Sequence, residues 1–141
     1  MKKFKIDKMV DNTDSLTTEK DNNLFNLPMR LLMIAKTGDA KSTTLGNLLL
    51  KTEGYKDDFE PENIYIFSGS LDGDEKLRII VEELEIPKSN LFSGYNGAML
   101  EVIYELQVDE FNEKREKGIK NPKKLNTLFI FDDLAYSNAM N

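Results

Sequence analysis

Apolar positions along this chain alternate between short unbroken runs and longer stretches with helical spacing. Met29-Arg30-Leu31-Leu32-Met33-Ile34 is nearly continuous, the pattern of a strand covered on both faces of a parallel sheet. From Ser42 to Lys51, Leu45, Leu48 and Leu49 recur at helical spacing, with Gly54 as a stop. Asn63-Ile64-Tyr65-Ile66-Phe67 predicts a second strand closed by Ser68-Gly69-Ser70, and Asp74 to Leu84 a helix with Leu77, Ile80, Val81 and Leu84 on one face. Pro87 ends that segment, and Asn90-Leu91-Phe92 predicts a short strand. A longer helix is expected from Ala98 to about Lys117, marked by Leu100, Ile103, Tyr104 and Phe111. Leu125 to Phe131 predicts a final strand that ends on Asp132-Asp133.

Strands that alternate with helices call for an α/β domain with a mainly parallel sheet. Residues 1–23 are polar and read as an arm preceding a domain over 24–141. The aromatic residues Tyr65, Phe67, Phe129 and Phe131 stand at strand spacing and read as core rather than as a base-stacking platform.

Composition narrows the chemistry. The 141 residues suit one domain that buries roughly two-thirds of its unfolded surface. Cysteine and histidine are both absent, which excludes disulfides, thiolate or imidazole metal sites, cysteine nucleophiles and histidine bases. A metal here must be hard and held by oxygen, with Mg²⁺ the leading candidate. With 19 basic and 25 acidic residues the net charge is −6, which opposes uniform attraction to a nucleic acid backbone. The stretch from Lys114 to Lys124 is locally basic and is the one candidate for phosphate contacts along DNA. The longest apolar run is too short to span a membrane, and Met1 to Lys8 lacks a signal-peptide core, so a cytoplasmic protein is expected.

Two strings carry candidate chemistry. Ala35-Lys36-Thr37-Gly38-Asp39-Ala40-Lys41-Ser42 follows an apolar run and opens a helix, as a phosphate loop of the form G-x-x-x-x-G-K-[ST] does. In that form, backbone N–H groups surround the phosphates, Lys41 reaches the β and γ oxygens, and Ser42 holds Mg²⁺. Alanine stands at both glycine positions. Ala40 is expected to need a left-handed conformation, at a cost of about 1–2 kcal/mol. The second string, Leu128-Phe129-Ile130-Phe131-Asp132-Asp133, has the Walker B form: Asp132 would serve the Mg²⁺ shell and Asp133 would orient or deprotonate a water beside the γ-phosphate. Each string alone also fits a plainer reading, a turn whose helix is capped by Ser42 and a core strand that ends on two solvated acids.

The string from Ile34 to Leu45, the Tyr65-Ile66-Phe67-Ser68 strand end and the run from Thr127 to Leu134 resemble the genome-packaging ATPases of large DNA viruses and tailed phages, in the poxvirus-type branch of the FtsK/HerA superfamily. The resemblance covers about Arg30 to Leu134. It implies a three-layer P-loop NTPase fold with ATP and Mg²⁺ as cofactors. A homo-oligomeric ring at a capsid portal, with double-stranded DNA as the moved substrate, is also implied. Residues Ala35 to Thr43 would cradle the nucleotide, with the Thr43 N–H near the α-phosphate; Lys41 and Asp133 would be catalytic, and Ser42 and Asp132 would serve the metal. Such ATPases place further strands after Walker B, one of them between the two Walker strands, so the sheet is expected to be incomplete at the C-terminus. An arginine finger would have to come from Arg30, Arg78 or Arg115, of which Arg115 is best placed. The alternative is a degenerate, non-hydrolysing P-loop nucleotide binder or assembly partner. A small-molecule kinase is disfavoured by the lack of a basic lid segment.

Overall fold

The computed structural model describes residues 16–21, 23–36 and 40–134. These form a mixed α/β unit around three parallel strands: β1 (Ile64–Ser68), β2 (Leu91–Phe92) and β3 (Leu128–Asp132), in the order β2-β1-β3. The helices are α1 (Lys41–Leu50), α2 (Glu75–Glu83), α3 (Gly97–Glu116) and a single turn, α4 (Pro122–Leu125). Among the described residues, no helix is long and apolar enough to cross a membrane.

Strand periodicity explains the two faces of the sheet. Successive side chains point to opposite sides, so Ile64, Ile66 and Ser68 share a face with their partners Leu128, Ile130 and Asp132. On that face the apolar members join Leu49, Leu77 and Ile80 from α1 and α2 in the main core. The other face carries a ladder of stacked rings: Tyr65 on Phe129, and Phe67 on both Phe92 and Phe131. There α3 is pinned by Gln107, whose amide donates to the Tyr65 hydroxyl at 2.8 Å, while Thr127 Oγ1 donates to the Gln107 carbonyl at 2.8 Å. β1 is therefore paired at both edges and covered on both faces.

Local chemistry sets the element ends. Asp74 caps α2 by accepting from the Leu77 N–H, and Asn96 caps α3 by accepting from Met99. Buried Asn90 donates to the carbonyls of Glu62 and Ile64 at 2.9 and 3.0 Å, which binds the turn before β2 to the start of β1. The last strand begins at Leu128, not at Leu125, because Asn121 caps a turn with Pro122 at its first position and residues 122–125 become helical. Gly54 does not terminate α1. The helix ends at Lys51, and Gly54 instead lies against it, where a Cβ would stand 2.3 Å from the Leu48 carbonyl oxygen.

The larger departure concerns the most apolar run. Leu31 to Ile34 forms no strand, and Leu32 and Ile34 are 81% and 86% exposed. The physical reason is pairing: an extended segment joins a sheet only when a neighbour meets its N–H and C=O groups, and among the described strands β3 pairs with β1 alone. α3 also departs from expectation, since it buries only Ile103 and leaves Tyr104 61% exposed.

From the segment read as a polar arm, Thr18 forms an antiparallel bridge with Leu27 and the Lys20 ammonium meets Asp58 at 2.6 Å. Asn126 donates to the Thr18 hydroxyl at 3.3 Å, so residues 16–21 dock beside the start of β3.

Candidate functional site

A cleft of about 1060 Å³ opens between the outer edge of β3, the 29–33 segment and α3. Its volume is at the upper end for small-molecule sites. Most of its wall is apolar, including Leu31, Tyr104, Val108 and Phe129, and Lys41, Ser42, Asp132 and Asp133 are also part of its lining.

The polar group is assembled by two different elements. Lys41 and Ser42 open α1, a ten-residue helix with no acidic residue in its first turn and no side-chain cap. The first N–H groups of such a helix lack intrahelical partners and favour an anion. Asp132 is the last residue of β3, on the face that carries Ile130 toward the α1 side. Lys41 Nζ lies 3.2 Å from Asp132 Oδ1, and that carboxylate is mostly buried. Its other oxygen accepts from the Ser68 and Ser70 hydroxyls at 3.4 and 3.5 Å.

Asp133 sits one step further on, where the chain leaves the sheet. Its φ of 49° is left-handed, an uncommon conformation for a residue with a side chain. The turn is held by the Gly69 N–H, which donates at 3.2 Å to both the Asp132 and the Asp133 carbonyls. Only glycine fits there, because a Cβ on residue 69 would stand 2.3 Å from the Asp133 oxygen.

Ala40 requires a correction. Its φ is −75°, so the left-handed conformation expected of it, and the associated cost, are absent. Ser42 is not the helix cap either; Ala40 occupies that position, and the Ser42 hydroxyl donates to Asp74 Oδ2 at 2.8 Å. The Thr43 hydroxyl accepts from Lys76 Nζ at 2.8 Å. Ala35 and Lys36 are exposed on the approach to the loop, and the expected phosphate contacts of Thr37, Gly38 and Asp39 lie outside the described residues. Of the arginines, Arg78 pairs with Glu75 at 3.5 Å on an exposed helix face.

The structure thus adds three residues that the motifs did not identify. Ser68 ends β1 and Ser70 and Asp74 follow it in the connection to α2, so this one segment touches both Asp132 and Ser42. The Ser-Gly-Ser strand end was visible as a turn, but no local signal shows that Asp74 reaches a hydroxyl 32 positions earlier.

The donors are hard oxygens. Among the described residues, no cluster of three acidic ligands exists. One hydroxyl and one carboxylate beside a lysine fit Mg²⁺, which keeps several waters and takes its remaining oxygens from phosphates. No protein-family model matches the chain, no curated protein matches it, and no solved structure matches it.

Proposed function

We propose that this chain binds ATP with Mg²⁺ at the polar end of the cleft, as the nucleotide-binding part of an ATPase. One observation carries the reading: the lysine of the loop string lies 3.2 Å from the first aspartate of the strand string, at the N-terminus of a helix. Each string alone has a plain alternative, but plain alternatives give no reason for the two to meet. In the nucleotide complex Lys41 would exchange Asp132 for the β and γ oxygens, and the Ala35 to Thr43 backbone would surround the phosphates. Ser42 and Asp132 would hold Mg²⁺, which neutralises charge on the phosphate oxygens. Asp133 would hold the attacking water and take its proton. A motor that moves double-stranded DNA as a homo-oligomeric ring at a capsid portal is the wider proposal, and it rests on the family resemblance.

The exposed Leu31 to Ile34 run favours a second reading, a P-loop-like binder that holds nucleotide without turning it over. Among the described residues the Leu31 to Ile34 run pairs with no strand, so the approach to the loop lacks the rigid strand that would fix its N–H groups for catalysis. Titration of a fluorescent ATP analogue with Mg²⁺ tests binding, and phosphate release separates the two readings. Binding by the chain and its loss in Lys41→Ala are expected; no binding at millimolar nucleotide would end both.

A further inference from the structure

The loop over residues 68–74 does more than connect β1 to α2, because its last residue divides one carboxylate between two tasks. Asp74 Oδ1 accepts from the Leu77 N–H at 3.1 Å and so caps α2. Oδ2 accepts from the Ser42 hydroxyl at 2.8 Å. The cap fixes the side chain, and the second oxygen is thereby held against the Ser42 hydroxyl at the start of α1.

A hydroxyl that ligates a cation keeps one proton to donate. A carboxylate that accepts this hydrogen bond turns the oxygen lone pairs toward the cation and makes them more basic. We infer that Asp74 is the positioning residue for Ser42, holding its proton so that Oγ faces the Mg²⁺ that accompanies the nucleotide. The inference rests on the ATP·Mg²⁺ reading above. It assigns the β1 to α2 segment to both halves of the site, since Ser68 and Ser70 donate to the Asp132 carboxylate while Asp74 accepts from Ser42.

A merely structural staple between α1 and α2 is the competing explanation, and Lys76 provides the control. Its ammonium also links the helices, through the Thr43 hydroxyl, but touches no proposed metal ligand. Asp74→Asn keeps an acceptor for the Leu77 N–H and so keeps the cap. Toward Ser42 its amide donates instead of accepting.

The test measures affinity for a fluorescent ATP analogue with and without Mg²⁺, on the unaltered chain, Asp74→Asn and Lys76→Met. The expected result is that Asp74→Asn reduces the Mg²⁺-dependent gain in affinity by about 10- to 100-fold. Its metal-free affinity should be unchanged or tighter, and Lys76→Met should keep the full gain. An undiminished gain in Asp74→Asn overturns the inference, as does an equal loss in Lys76→Met or a loss of the same size without metal. If the unaltered chain binds no nucleotide at all, the ATP reading itself falls and takes this inference with it.

Discussion

β1 and the Leu31 to Ile34 segment are both short apolar runs, yet one is the centre of the core and the other faces solvent. Ile66 and Phe67 are wholly buried, with strands on either side and helices above and below. Among the described residues, Leu32 and Ile34 have no strand partner. Hydrophobicity states how much a segment gains from burial, and hydrogen-bond pairing decides whether it is buried.

The largest test of this contrast is a pair of truncations. Ile66→Ala should destabilise by about 2–5 kcal/mol, by lost transfer energy and a cavity that the two sheet neighbours cannot fill. Leu32→Ser should change stability by less than about 0.5 kcal/mol. Urea unfolding of both variants measures this, and similar losses would show that the 31–34 run is packed in solution. Next in size is Gly69→Ala. The added methyl must displace the Asp133 carbonyl, and a loss of about 1–3 kcal/mol is expected. Asp133→Asn, which keeps a residue suited to left-handed φ, should be nearly neutral in the same assay.

Ala40→Gly probes the loop side. Because Ala40 already has an ordinary φ, glycine should cost about 0.4–1 kcal/mol or less through the unfolded chain and leave nucleotide affinity within about twofold. Tenfold tighter binding would show that the methyl obstructs the phosphates. The smallest effect belongs to the exposed pair on α3. A hydrogen bond and the charge of Lys117 hold the Glu113 carboxyl below its ordinary value, and Glu113 raises Lys117 in return. The Glu113 contribution is present above its unfolded value and fades as pH falls through the folded one. That of Lys117 is present below its unfolded value and fades as pH rises through the folded one. Both groups are fully exposed, so Glu113→Gln should leave the thermal midpoint at pH 7 unchanged within error.

Local patterning made much of this fold legible. α1, β1, α2, β2 and α3 lie within a residue or two of where spacing placed them, since each depends on nearby residues such as Asp74 and Asn96 at the caps. The strand expected over Met29 to Ile34 does not form, because a continuous apolar run reports no partner. The start of β3 was misread although Asn121-Pro122 is a readable helix start. In the site, Lys41, Ser42, Asp132 and Asp133 stand out by residue type and order. Asp74 does not, because its role depends on a contact between segments that spacing cannot reveal. Ala40 departs for a related reason: its φ is set by the entry into α1 and not by its place before the lysine of the loop form.

The pairing of β1 with β3 has a kinetic consequence. Ser68 and Asp132 are 64 positions apart, whereas β1 and β2 join through Ile66 and Leu91. Closing the longer loop loses more chain entropy before any contact repays it, and non-local parallel pairing is slow. During refolding, α2 amides are expected to gain protection from hydrogen exchange before those of β3, and simultaneous protection would refute this order. If β3 is the last strand to pair, Lys41 and Asp132 meet only at the end of folding, and a partly folded chain lacks that contact.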